Sequence, residues 1–304
     1  MSEEPAVSVI IPTHDRPRFL AEAIASVLAQ RRLPEQLIVV DDGGAGEVSE
    51  ALQASGGPRA VAVSVVRGPG RGPGAARNVG LAQAEGELVA FLDDDDVWHP
   101  AKLELQVQQF AAAPSLGVLG TGIASGTRPP PRASAVSRGK ARPVPFDSLL
   151  KANRLPMSSV VARRACLAEC EGFDESLELA QDWDLWLRAA LRWPVAMLEA
   201  PLVGYRRHGG QRSADAQAMR WWEGEVLRRV LARGLPGPRL EAIARRRLAW
   251  SQVRLGKLLS GAGEAELARQ RFREAVRLSR WSLPAWLGLM RCSLTAGAPA
   301  RAGS

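Results

Sequence analysis

The sequence predicts an α/β domain, a mostly parallel sheet flanked by helices, followed by a basic helical extension. Three observations carry this expectation. β-Branched apolar runs alternate with segments of helical spacing through the first hundred residues. Aspartates follow the ends of those runs. Charge divides unevenly along the chain: residues 1–216 hold 23 Lys+Arg and 26 Asp+Glu, whereas 217–304 hold 17 and 6. The expected boundary lies at 216, with halves 1–100 and 101–216 inside the first domain and 217–304 as the extension.

The elements follow in order. "VSVIIP" (7–12) is a β-branched run ended by proline, and "RFLAEAIASVLAQ" (18–30) has helical spacing. "QLIVVDDGG" (36–44) reads as a second strand, "EVSEALQAS" as a helix and "AVAVSVVRG" (60–68) as a third strand. The loop "GPGRGPG" (68–74) leads into the helix "AARNVGLAQAEGE", and "LVAFL" (88–92) is a fourth strand. Right-handed crossovers then place Thr13, Asp41, Asp42 and Asp93–Asp96 on one rim, beyond the carboxyl ends of the strands, where ligands of open α/β sheets collect. Residues 124–145 are rich in Pro, Ser, Gly and Arg and read as a loop. "QDWDLWLRAALRW" is an amphipathic helix, and the chain after 216 reads as helical throughout.

Composition excludes several classes. The 304 residues are 46% hydrophobic and 24% charged, ordinary for a soluble globular protein. No apolar stretch reaches the roughly 18 residues of a membrane span. The acidic start "MSEEPAVSVIIP" runs straight into a strand, so no secretory signal is expected. Cys166 and Cys170 lack the companions of a zinc set, and with Cys292 they are expected as reduced thiols in a cytoplasmic protein. No nucleic-acid partner is expected.

"FLDDDDVWHP" (91–100) places four carboxylates in a row behind a strand. Helix capping needs only one of them. Alternate carboxylates on an extended turn can share a hard divalent cation, Mn²⁺ or Mg²⁺, which also takes substrate phosphates. The glycine-rich loop follows the third strand and contains prolines, so it does not fit a dinucleotide fingerprint, which follows the first.

Six segments together resemble the family 2 glycosyltransferases, which have a nucleotide-sugar-binding GT-A fold. They are "VSVIIPTHDR" (7–16), "LIVVDDGG" (37–44), "GAARNVGLAQAEGELVAFLDDDDVWHPAKL" (74–103), "GFDESL" (172–177), "QDWDLWLR" (181–188) and "PLVGYRRH" (201–208). The resemblance implies a GT-A-like sheet whose first half, 1–100, takes a nucleotide sugar and whose second half, 101–216, takes the acceptor. Pro12 and Thr13 would lie against the base, Asp42 would accept a hydrogen bond from it, and Arg77 would meet the diphosphate. Asp93 and Asp95 would form the Asp-x-Asp metal pair, Asp95 binding the ion directly. Asp94 would face the ribose, with Asp96 behind the ligands. Asp182 matches the catalytic base, and Gln181 replaces the glutamate usual before it. Gln181 and Trp183 are candidates to face the acceptor, with Arg206, Arg207 and His208 on a loop over the diphosphate.

The implied reaction is inverting, metal-dependent transfer from a nucleoside-diphosphate sugar, a UDP-sugar foremost, to a hydroxyl of a glycan or lipid-linked acceptor. Two alternatives stand beside it. A nucleotidyltransferase would want a glycine-rich basic loop after the first strand, where "THDRPRF" has no glycine. A non-catalytic scaffold would rest on the tail, where Leu255, Gly256, Ala268, Phe272 and Ala275 fall at tetratricopeptide-like spacing. The tail also mixes arginine with tryptophan in "MRWWEGEVLRR", "ARRRLAW" and "LSRWSLPAW". That mixture suits peripheral attachment to an anionic surface, the inner face of the cytoplasmic membrane.

Overall fold

The computed structural model describes residues 4–43, 48–55, 61–126, 139–207, 209, 211 and 214–295, with backbone alone at 293–295. Val7–Thr13 forms the central strand β1, buried along its whole length as a parallel strand covered on both faces must be. On one side of it lie β2 (Gln36–Asp41) and then β3 (Ala62–Arg67); on the other lies β4 (Leu88–Phe91). All three pairings are parallel. Helices α1 (Pro17–Leu28), α2 (Val48–Ala54) and α3 (Pro73–Gln83) make the connections. In α1 the residues Leu20, Ala23, Ile24 and Val27 recur at i, i+3, i+4 and i+7 and are buried. Leu20, Ile24 and Val27 share one apolar core with Val9, Ile11, Leu37 and Val39. Cutting Ile11 to alanine there would cost about 2–5 kcal/mol.

Beyond β4 the pairing becomes mixed. The chain runs through β5 (Val97–Trp98), α4 (Lys102–Ala112), β6 (Val118–Ser125), β7 (Arg142–Pro143), α5 (Phe146–Lys151) and a 3₁₀ turn (Met157–Ser159). Then come β8 (Val161–Arg163), α6 (Arg164–Glu169), α7 (Gln181–Ala190) and β9 (Val195–Tyr205). The sheet order is β3-β2-β1-β4-β8-β6-β9-β5, with β7 also beside β9. β6 and β9 pair in parallel, whereas β4–β8, β6–β8, β5–β9 and β7–β9 are antiparallel. The whole is a mixed sheet, parallel where crossover helices connect long strands.

The chain divides into two compact units, Met1–Leu149 with Asn153–Gly209, and Leu150–Ala152 with Gly210–Ser304. The second contains α8 (Ala216–Arg233), α9 (Pro238–Gly261), α10 (Ala265–Leu278) and α11 (Leu283–Thr295). Asp215 caps α8, accepting from the amides of Gln217 and Ala218 at 2.9 Å. Phe272 is the wedge between helices: a side chain at Gly256 would put its Cβ 2.9 Å from the ring, and Gly288 on α11 abuts the same ring. No helix among the described residues is long and apolar enough to cross a membrane. Cys166, Cys170 and Cys292 are free thiols, all buried.

Candidate active site

The carboxyl ends of β1, β2 and β4 meet on one rim because the three strands run parallel and in register. Backbone bonds lock the rim: the Asp42 amide donates to Thr13 O at 2.9 Å, and the Leu92 amide to Ile10 O at 3.1 Å. After β4 the chain turns tightly, the Asp96 amide donating to Asp93 O at 3.1 Å.

This turn divides the four aspartates. One oxygen from each of Asp93, Asp95 and Asp96 lies within 4.8 Å of the others. Asp94 is outside that set, accepting from Thr13 Oγ1 at 2.8 Å and from Arg16 Nη1 at 3.4 Å. Trans ligands of a divalent ion with bonds of about 2.1–2.5 Å stand about 4–5 Å apart, so the three oxygens suit a hard cation. Four carboxylates face two guanidiniums: Arg16 reaches Asp95 at 3.2 Å, and Arg77 Nη2 reaches Asp93 at 2.5 Å. Negative charge remains in excess, which again fits a cation. Asp96 joins the candidate ligands, whereas the sequence reading kept it behind them. Asp94 packs on Thr13 in place of an open ribose face.

Ser158 fastens the turn, and nothing in its sequence neighbourhood advertises this. Its Oγ donates to Asp96 Oδ2 at 2.6 Å and accepts from the Asp93 amide at 3.1 Å. The Ser158 carbonyl in turn accepts from Trp98 Nε1 at 2.8 Å. Asp96 Oδ1 also accepts from the Arg206 amide at 3.2 Å. One buried carboxylate thus ties the aspartate turn to the 3₁₀ turn and to the segment after β9.

Burial raises two of these carboxyls in the metal-free protein. Asp94 is pushed up to about 6 by loss of solvent, with Thr13 and Arg16 opposing. Asp96 is pushed up to about 8 by burial, then by Asp93, with the Ser158 hydrogen bond opposing. Both values exceed that of an unfolded aspartate, so the fold is favoured while these groups hold protons. That contribution is complete below about pH 4 and is lost as pH rises through about 6 and then about 8. Melting temperature in chelator therefore falls between about pH 5 and about pH 8, by roughly 5–10 °C. Mn²⁺ should remove the larger, Asp96 part of that fall by replacing its proton, and a flat profile in chelator would contradict the assignment.

Arg77 stands on the second turn of α3, and its position depends on the glycine-rich loop. Asp42 accepts from the Gly70 amide at 2.7 Å and from the Gly72 amide at 2.9 Å. Gly70 (φ +67°) and Gly72 (φ +91°) adopt left-handed backbone that a side chain would strain. Pro73 then opens α3. In this structure both Asp42 oxygens hold the loop, a task the sequence reading did not give it. Pro12 pairs with Val40 inside the sheet, and Thr13 is buried against Asp94. The Arg77 guanidinium lies over Phe173 at 5.6 Å, and its buried Nε has no hydrogen-bond partner among the described residues.

Asp182 occupies the first turn of α7, after Ala180 in left-handed conformation (φ 59°). It is half-buried, and its carboxylate accepts from Asn153 Nδ2 at 2.7 Å and from the Trp183 amide at 2.8 Å. Burial raises its pKa, with Asn153, the Trp183 amide and Arg77 opposing and Asp93 adding to the rise. Arg77 and Asp93 act electrostatically on Asp182, so the two poles adjoin. Asn153, like Ser158, is a site residue that the sequence reading missed.

Other candidates lie elsewhere. Trp183 is 1% exposed and donates from Nε1 to Leu149 O, a core contact that corrects its acceptor role. Gln181 is buried, packs on Gly74 and donates to Glu178 O at 2.6 Å, so it braces the entry to α7. The Arg206 side chain turns to Glu22 at 2.5 Å and stacks on Phe19, while its amide donates to Asp96. Arg207 is exposed. His208 lies outside the described residues.

Comparison with known proteins agrees with this geometry. An uncharacterized glycosyltransferase of Nostoc sp. is 37% identical over 113 residues, 37% of this chain and 35% of the relative. The chain spans about a third of the length of the curated relatives it first matches. S. aureus TarS 1–349, solved in complex with UDP-GlcNAc, superposes with a TM-score of 0.68 at 18% identity, covering 96% of this chain and 91% of that one. The mannosyltransferase PcManGT of Pyrobaculum calidifontis, solved with GDP-Man and Mn²⁺, gives 0.58 at 19% identity, covering 98% and 82%. The fold is therefore GT-A-like, with the helical region included in the TarS match. Residues 8–160 match the family model for glycosyl transferase family 2, half of the chain. With the aspartate turn, the Arg77 helix and the sheet order all falling inside or beside that match, the chain belongs to glycosyl transferase family 2.

Proposed function

We propose that this chain transfers a sugar, with inversion, from a nucleoside-diphosphate sugar to a hydroxyl of a glycan or lipid-linked acceptor, and that transfer depends on Mn²⁺ or Mg²⁺. The observation that carries the reading is the pairing of poles. A carboxylate set suited to a cation stands with a buried arginine bearing an unpartnered N–H, and a carboxyl raised by burial adjoins them. TarS with UDP-GlcNAc and PcManGT with GDP-Man support a nucleotide-sugar donor, UDP-linked in the first instance.

Asp93, Asp95 and Asp96 would hold the ion, which supplies positive charge to the leaving diphosphate. Arg77 contributes fixed positive charge beside that diphosphate. Asp182 takes the proton of the acceptor hydroxyl as that oxygen bonds to the anomeric carbon. The bond from that carbon to the diphosphate breaks on the opposite face, and its electron pair leaves with the diphosphate. A base with a raised pKa suits this task, because proton transfer is most efficient when the pKa approaches the working pH. Asn153 and the Trp183 amide hold both carboxylate oxygens in place, which orients the base.

Slow donor hydrolysis in the absence of acceptor identifies the sugar. With a panel of nucleotide sugars and Mn²⁺, one donor should be cleaved to free nucleoside diphosphate, and chelator should stop the reaction. Cleavage that persists in chelator would overturn the metal dependence, and no cleavage or binding of any donor would overturn the donor class.

A further inference from the structure

The tail's tryptophans do not behave alike. Trp250 on α9 carries Arg247 at 4.5 Å, Arg220 at 5.2 Å and Arg254 at 5.3 Å from its ring centroid. Trp221 on α8 carries Arg271 at 4.6 Å and Arg228 at 5.9 Å. Guanidiniums stacked on these rings make them part of the bundle's own surface, so the expectation that the whole basic tail meets a membrane narrows.

The α10–α11 end is different. On α11, Ala285, Gly288 and Cys292 face the bundle around Phe272. Leu283, Trp286, Leu287 and Met290 recur at i, i+3, i+4 and i+7 on the opposite stripe and are 66%, 44%, 47% and 60% exposed. Trp281, in the turn before the helix, is 95% exposed. The bundle covers only the first of these stripes.

Charge identifies the partner. Beyond Glu274 the chain has no acidic residue, while Arg277, Arg280, Arg291 and Arg301 follow. Arg277 and Arg280 are exposed at the end of α10, and Arg291 is exposed on α11. A second copy docked on this face would set those arginines against their own images. An anionic bilayer would neutralise them and receive the indoles at its headgroup boundary.

We propose that the α10–α11 end is a docking surface for an anionic lipid bilayer. The apolar stripe and Trp281 enter the headgroup–acyl boundary, and the arginines meet the lipid phosphates. The surface belongs to the second unit and does not depend on the transfer chemistry proposed above.

Flotation of the full chain with phosphatidylcholine vesicles, with and without phosphatidylglycerol, tests the assignment. The wild type should float with the anionic vesicles only, and less in high salt. Trp281→Ser/Leu287→Ser removes exposed groups and should bind at least about tenfold more weakly. Arg277→Gln/Arg280→Gln should lose about fivefold per arginine. Wild-type protein that stays unbound with anionic vesicles, or either double variant floating like the wild type, overturns the proposal. So does light scattering that shows a wild-type dimer made monomeric by Trp281→Ser/Leu287→Ser.

Discussion

Replacing Asp182 with asparagine lowers turnover on the true acceptor by about 10²–10⁴-fold and leaves nucleotide affinity within about twofold. The asymmetry follows from its place. Asp182 is bonded to Asn153 and to the Trp183 amide on α7, while the candidate donor-binding groups stand on the rim of β1, β2 and β4. Asparagine keeps the volume and can still accept from the Trp183 amide, so α7 keeps its start. It cannot take a proton. Steady-state kinetics with acceptor, paired with nucleotide calorimetry, separates the two effects. Near-normal turnover in this variant would place the base elsewhere.

Removing the Asp95 carboxylate acts at the other pole. Asp95→Ala should weaken Mn²⁺-dependent nucleoside diphosphate binding by about 100-fold, on the order of 3 kcal/mol, with the melting temperature little changed. The fold should survive because Asp96 and Ser158, which fasten the turn, are left in place. Arg16, its partner at 3.2 Å, retains Asp94 at 3.4 Å. Asp94→Asn is the informative contrast. Asp94 bonds Thr13 and lies outside the set of converging oxygens, so its loss should leave metal affinity largely intact. Equal weakening by both substitutions would mean that the turn binds as undifferentiated charge.

The parts of the fold that were legible in the sequence are those governed by local rules. β1 to β4 announce themselves as apolar runs long enough to fill a strand, and α1 by its i, i+3, i+4, i+7 spacing. The antiparallel part was not legible. β5, β7 and β8 are two or three residues each, too short for a period, and exist only because longer neighbours pair with them. The same division runs through the candidate site. Four adjacent aspartates stand out in any reading, but which three converge depends on Ser158, 65 residues from Asp93. Asn153 and Ser158 are single polar residues in unpatterned stretches, and their roles come wholly from tertiary placement. Trp183 and Gln181 flank Asp182 in sequence, yet helical geometry turns both into the protein. Trp250 and Trp281 look alike in sequence, each with arginine nearby. Packing stacks arginines on the first and leaves the second 95% exposed.

In the proposed mechanism the aspartate turn holds a cation on which donor binding depends. Titrating UDP into the wild-type chain by calorimetry, once with Mn²⁺ and once in chelator, tests it most directly. Binding should be tight with Mn²⁺ and about 100-fold weaker in chelator, and Asp95→Ala should bind equally weakly under both conditions. Wild-type affinity that is the same with Mn²⁺ and in chelator would contradict it.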